Sequence, residues 1–149
     1  MAKPPGEQAQ GVAERSAQAL FGRDRASQAL GMRLVAVRPG GARVVMTVRP
    51  DMVNGHDVCH GGIVFALADS AFAFACNSYN ENTVAAAGSI DFLAAARTGD
   101  ELTAEASELW RTKRNGIYEI SVRNQRGERV ALFRGRSYRI DGPVTAIEE

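Results

Sequence analysis

The sequence predicts an α+β fold in which an antiparallel sheet of about six strands encloses one long helix. Three observations predict it. The run from Gly61 to about Ser78 is rich in helix formers (Ala66, Leu67, Ala68, Ala71, Ala73, Ala75), holds no proline, and is apolar almost all round, so other structure must wrap it. Strand-like segments lie on both sides of that run, two before and four after, bounded by turn residues. The four later segments have no helix between them, and tightly connected neighbours pair antiparallel.

Taken in order, residues Glu7 to Phe21 read as an amphipathic helix, with Val12, Ala13, Ala17, Leu20 and Phe21 on one side and Glu14, Arg15 and Gln18 on the other. Gly22 should end it. Asp24 can cap a short helix, Arg25 to Ala29, which Gly31 stops. The period then changes. Leu34 and Ala36, then Val44, Met46 and Val48, alternate around Pro39-Gly40-Gly41, a hairpin signal that Pro50 closes. After the long helix come Val84 to Ala94, Glu101 to Arg111, Gly116 to Asn124 and Glu128 to Ile140. Turn chemistry at Thr98-Gly99-Asp100, Lys113-Arg114-Asn115-Gly116 and Gln125-Arg126-Gly127 separates them. The expected organisation is a helical segment over 1–30, one domain over 31–141 and a tail over 142–149.

Composition narrows the function classes. Eighteen basic against seventeen acidic side chains leave a net charge of +1, which gives no electrostatic case for a nucleic-acid or anionic-membrane partner. The opening Met1 to Gly6 has no apolar core behind it and no run is long enough to span a membrane, so the expected compartment is the cytoplasm. Cys59 and Cys76 make no disulfide framework and are expected to be free packing thiols.

One acid breaks the apolar helix. Asp69 sits where burial disfavours charge, so it must either be satisfied by neighbours such as Ser70 or serve chemistry. Ahead of the helix runs a polar loop, Asn54-Gly55-His56-Asp57-Val58-Cys59-His60-Gly61-Gly62. With it go Leu67-Ala68-Asp69, Phe74-Ala75-Cys76-Asn77-Ser78, Ile90-Asp91-Phe92-Leu93 and Ala131-Leu132-Phe133-Arg134-Gly135-Arg136-Ser137. These residues, from Asn54 to about Arg139, resemble the hotdog-fold acyl-CoA thioesterases, nearest to the phenylacetic acid degradation subgroup. The resemblance implies a hotdog fold, hydrolysis of an aryl- or arylacetyl-CoA to free acid and CoA, no cofactor, and homodimers paired into homotetramers. It also implies that Asn54 orients the water or the thioester carbonyl and that His60 shapes the oxyanion region.

Physical chemistry supplies roles at the same positions. Unpaired N–H groups at a helix N-terminus, around Gly61 and Gly62, can hold a developing oxyanion, and glycine lets an acyl group approach the backbone. Asp69 can attack the carbonyl or activate a water, a choice the sequence leaves open. Eight residues separate Gly61 from Asp69, roughly 12 Å along a helix at about 1.5 Å per residue. Within one chain they cannot meet on one carbon, so a site shared by two subunits is expected. For the CoA phosphates the candidates are Arg97, Arg111, Lys113, Arg114, Arg134 and Arg136, with Ser89 and Gly116 offering backbone contacts along strand edges. Phe65, Phe72, Phe74 and Phe92 are expected in the core, one or two of them lining an aryl pocket, and Asp91 is read as structural. No metal is expected from His56, Cys59 and His60, because a set with ligand spacing is missing. Two rivals remain: a hotdog enoyl-CoA hydratase or dehydratase, for which His56 and Asp57 are a poor match, and a non-catalytic acyl-CoA binding module.

Overall fold

The computed structural model describes residues 2, 3 and 5–147, so part of the expected tail (148 and 149) and residues 1 and 4 lie outside the described residues. Helix α1 runs Pro5–Arg23 and α2 Arg25–Ala29. Proline is preorganised for a first helical position, and Glu7 near the start and Arg23 near the end suit the helix dipole, which extends α1 two residues past each expected end. Asp24 caps α2, its Oδ1 accepting from Ser27 N–H at 2.9 Å. Gly31, at φ +72°, turns the chain out of the helix.

Six strands follow: β1 Arg33–Arg38, β2 Gly41–Thr47, β3 Thr83–Phe92, β4 Glu101–Arg111, β5 Asn115–Arg123 and β6 Arg129–Arg139. Between β2 and β3 lies α3, Gly61–Cys76, two residues shorter than expected because Asn77 caps it. The strands form one antiparallel sheet in the order β1-β2-β4-β5-β6-β3. Two expectations need correction here. A tight connection between β3 and β4 would place them side by side, yet β3 pairs with β6 and the chain from Leu93 to Asp100 carries over to a start of β4 beside Val48. In β1 a bulge between Leu34 and Ala36 shifts the phase, so Leu34 and Val37 pack on the core and Ala36 faces out.

The sheet's inner face buries Val44, Met46, Leu102, Ala104, Ala106, Ile120, Val122 and Phe133 against Val64, Leu67, Ala68, Ala71, Phe72 and Ala75 of α3. This explains the missing polar face of the helix. Phe72 lies 5.4 Å from Tyr118 and 5.9 Å from Phe133, centroid to centroid, and Phe65 meets Phe133 edge-on at 5.1 Å. Phe92 departs from the expected core: it is 55% exposed. The two sheet edges differ. Helix α1 lies against β1, Gln10 Nε2 donating to Val37 O at 2.7 Å, whereas β3 has a partner strand on one side only and exposes Val84 to Ser89.

Candidate functional site

The entrance of α3 is built by its loop. Asn54 Oδ1 accepts from His56 N–H at 2.9 Å and Val58 N–H at 3.4 Å, folding a turn that places Asp57 at φ 61° and frees the Asn54 amide NH2 to donate elsewhere. Cys59 N–H donates to Ala96 O at 2.7 Å, which fixes the loop against the chain after β3, and His60 N–H donates to Met52 O at 2.8 Å, which closes the loop on its own start. His60 is the N-cap, at φ −56° and ψ 133°, and its Nδ1 accepts from Gly62 N–H at 3.3 Å. The ring is thereby committed to capping. The N–H of Gly61, first of the helix, finds no acceptor among the described residues and is the donor left for a ligand. Asn54, Gly61 and Phe92 line one cleft of about 420 Å³, closed behind by Val64 and Val130. A Cβ on Gly61 would stand 3.0 Å from the Phe92 ring, so any side chain there pushes the exposed Phe92 ring aside.

Asp69 opens into a different cleft of about 340 Å³ on the far side of two helical turns. Leu20, Asp24, Phe72, Val84 and Ala85 line it. Burial pushes the Asp69 carboxyl above the usual carboxylate range, and the charge of Asp24 adds to the shift. Ser70 does not satisfy Asp69: its hydroxyl pairs with Ser27 Oγ at 2.8 Å. The buried thiols of Cys59 and Cys76 are pushed up to about 11 and about 12 by burial, which makes them packing groups. One chain therefore keeps Gly61 and Asp69 in separate clefts, one beside the Phe92 end of β3 and one beside its Val84 end.

The basic candidates are dispersed, Arg111, Arg134 and Arg136 on strands and Arg97, Lys113 and Arg114 in the connections between them. Ser89 lies opposite Arg134, whose guanidinium reaches Glu119 at 3.5 Å; Arg136 donates to Asn115 Oδ1 at 3.2 Å. Arg97, Lys113 and Arg114 are exposed, Arg114 near Asp141 at 3.9 Å. Arg111 is otherwise engaged. It stacks 3.4 Å above the Tyr79 ring and lies 3.7 Å from Glu81, beside Glu108, which accepts from both Tyr79 and Tyr118 hydroxyls. Gly116 is corrected too: it is buried on the interior strand β5, paired on both sides, so its backbone borders no free edge. His56 and Asp57 are exposed on the turn, and Asp91 faces outward opposite Leu132. Sequence reasoning missed Asp24 as a site-lining group, and it named Phe92 as a possible pocket residue but expected it in the core. Asp24 was legible only as a helix cap, since nothing local says which cavity a cap borders.

Residues 56–131 match the thioesterase superfamily. The chain is 47% identical to the acyl-coenzyme A thioesterase PaaI of Escherichia coli (strain K12) over 130 residues, 87% of this chain and 93% of that protein. A solved structure of the E. coli PaaI protein from the phenylacetic acid degradation operon superposes with a TM-score of 0.90 at 45% identity, covering 91% of this chain and 98% of that one. A putative esterase of Archaeoglobus fulgidus is 36% identical over 91% of this chain and 89% of its own length.

Proposed function

The chain belongs to the thioesterase superfamily and is an acyl-CoA thioesterase, and from that premise we propose that it hydrolyses aryl- or arylacetyl-CoA thioesters at a site shared by two copies. One observation carries this reading: the two halves of the chemistry flank opposite ends of the same open edge strand. Antiparallel pairing of β3 with the β3 of a second copy, centred near Gly88, lays the Phe92 end of one against the Val84 end of the other. Gly61 of one copy then approaches Asp69 of its neighbour, twice per dimer. The small side chains from Val84 to Gly88 leave the edge accessible to a second backbone.

In this site the thioester carbonyl oxygen accepts from Gly61 N–H, and the free Asn54 amide steadies the carbonyl or the water. Asp69 either takes a proton from the attacking water or attacks directly to give a mixed anhydride that water then cleaves. Either route passes through an oxyanion at the helix entrance, expels CoA as the thiolate and needs Asp69 ionised. Among the basic residues, Arg97, Arg134 and Arg136 remain candidates for the CoA phosphates, with Ser89 beside Arg134. Gly62 acts by keeping the approach open. The acyl group enters the cleft beside Asp69, where Leu20, Phe72, Val84 and Ala85 offer an apolar wall to a ring. No cofactor takes part.

Association of dimers into a homotetramer would cover Trp110 and Tyr138, about half exposed on the outer face. Among the described residues no helix is long and apolar enough to cross a membrane, in keeping with a cytoplasmic enzyme. The test is release of free thiol from a panel of benzoyl-, phenylacetyl- and straight-chain acyl-CoA esters by wild type and Asp69→Asn. The reading expects arylacetyl esters to be preferred and the variant to lose nearly all turnover while still binding. A variant with most of its activity would reject it, as would equal turnover across the panel for the acyl assignment.

A further inference from the structure

Asp24 sits at the N-cap of α2 but also faces the cleft of Asp69, so two carboxylates share one partly enclosed space. A chain of hydroxyls runs from the Asp24 carboxylate to Ser70, beside Asp69 on α3. Ser27 Oγ donates to Asp24 Oδ2 at 2.6 Å, and with its one proton spent there, Ser70 must donate to Ser27 Oγ at 2.8 Å. Ser70 is the neighbour of Asp69 on α3, so the hydroxyl that could have stabilised the Asp69 anion is turned toward Asp24 instead. The other charged or titratable groups facing the cleft are Arg23, whose Nη2 donates to Val144 O at 3.0 Å, and the Cys76 thiol on α3; β3 brings no ionisable side chain to it.

We propose that Asp24 is a positioning residue of the thioesterase reaction that sets the pH dependence of turnover by acting on Asp69 from across their common cleft. The proposal rests on the reading of Asp69 as the reacting carboxylate. Like charges that line one partly enclosed cleft resist joint ionisation, and the serine contacts hold α2 against α3. The sign follows: with Asp24 neutral, Asp69 ionises more readily and the acid limb of the pH–rate profile moves to lower pH.

The experiment uses Asp24→Asn, which keeps an N-cap acceptor for Ser27 N–H while removing the charge. Asp24→Ser, a second neutral cap former, takes its place should the first variant fail to fold. The carboxyl of Asp69 is titrated by carbon-13 NMR, and kcat/KM for the best CoA ester is measured against pH. Both the titration midpoint and the acid limb are expected to fall together, the rate at the foot of the limb rising about threefold or more relative to plateau. Asp51→Asn, which removes an exposed carboxylate held by Arg49, should leave both unmoved. A midpoint unchanged in a folded Asp24 variant overturns the proposal. A midpoint that falls while the limb stays put overturns its catalytic half, and marks the failure as that of Asp69's assigned role rather than of the coupling between the two carboxylates.

Discussion

Proline at position 61 removes the proposed oxyanion donor. Gly61 is the first residue of α3, where proline is well tolerated, and His60 before it already has the extended φ and ψ that proline demands of its predecessor. Gly61→Pro removes a single N–H and no hydrogen bond of the fold. Its ring displaces only Phe92, which is 55% exposed and can swing aside. Folding stability should change by no more than about 1 kcal/mol, while loss of one oxyanion donor lowers kcat by about 10²- to 10³-fold. Subunit mixing then tests the division of the site. Eight residues of helix put Gly61 and Asp69 about 12 Å apart, so in the proposed site each reaction uses one group from each copy. When Gly61→Pro and Asp69→Asn chains are co-expressed at equal levels, half of the dimers are heterodimers, each with one intact and one doubly impaired site. The mixture should recover about a quarter of wild-type activity. Thiol release from arylacetyl-CoA reads this, with two affinity tags verifying the heterodimers. Verified heterodimers no more active than their parents would refute the shared site, and full activity in Gly61→Pro would refute the donor.

Asp69→Asn should be more stable than wild type at pH 7, because burial raises the folded carboxyl above its unfolded value and its ionisation therefore opposes folding. The advantage grows as pH rises through Asp69's titration and vanishes at about pH 3, where the carboxyl is protonated in both states; urea melts across that range would show it. Gly135→Ala should destabilise the chain by about 1–3 kcal/mol by overpacking. Its Cβ would stand 2.8 Å from the Phe72 ring and 3.0 Å from that of Phe133, both almost wholly buried, and a urea midpoint unchanged from wild type would count against this. Glu108→Ala should cost about 1–3 kcal/mol by stranding the buried Tyr118 hydroxyl, with Glu108→Gln milder because its amide oxygen still accepts one hydroxyl proton. Equal melting temperatures for the two variants would contradict that account.

Much of the fold could be read in advance because local chemistry decides it. Alanine-rich sequence without proline makes α3, and Gly31, Gly40, Gly99 and Gly127 all take the positive φ that their turns require. What stayed hidden depends on contacts between distant segments. Whether β3 lies beside β4 or β6 is settled by packing across the sheet, and no turn residue encodes it. The bulge in β1 depends on pairing with β2, and Phe92 escapes the core because its place at the strand end sets it over Gly61. The candidate site divides the same way. Asn54, His60, Gly61 and Asp69 stood out as a loop and an anomalous acid, whereas Arg111 looked like its basic neighbours until Tyr79, Glu81 and Glu108 were seen to hold it.

The contrast between the sheet's two edges links fold to chemistry. An exposed edge strand invites uncontrolled pairing, and proteins blunt it with charge, proline or a covering element. The β1 edge is blunted in that manner, by α1 and the Gln10 hydrogen bond to Val37 O. From Val84 to Ser89, β3 carries no charge and no proline, and no element among the described residues covers its edge, so it is unguarded over the length where a second strand would lie. A copy paired there, as proposed, would remove the liability and, by the two-fold axis, bring each helix entrance to the other's carboxylate. In the proposed dimer, guarding one edge and leaving the other open makes association a condition of catalysis: a chain kept monomeric by a charge or proline in the middle of β3 is expected to retain both clefts and to lose turnover.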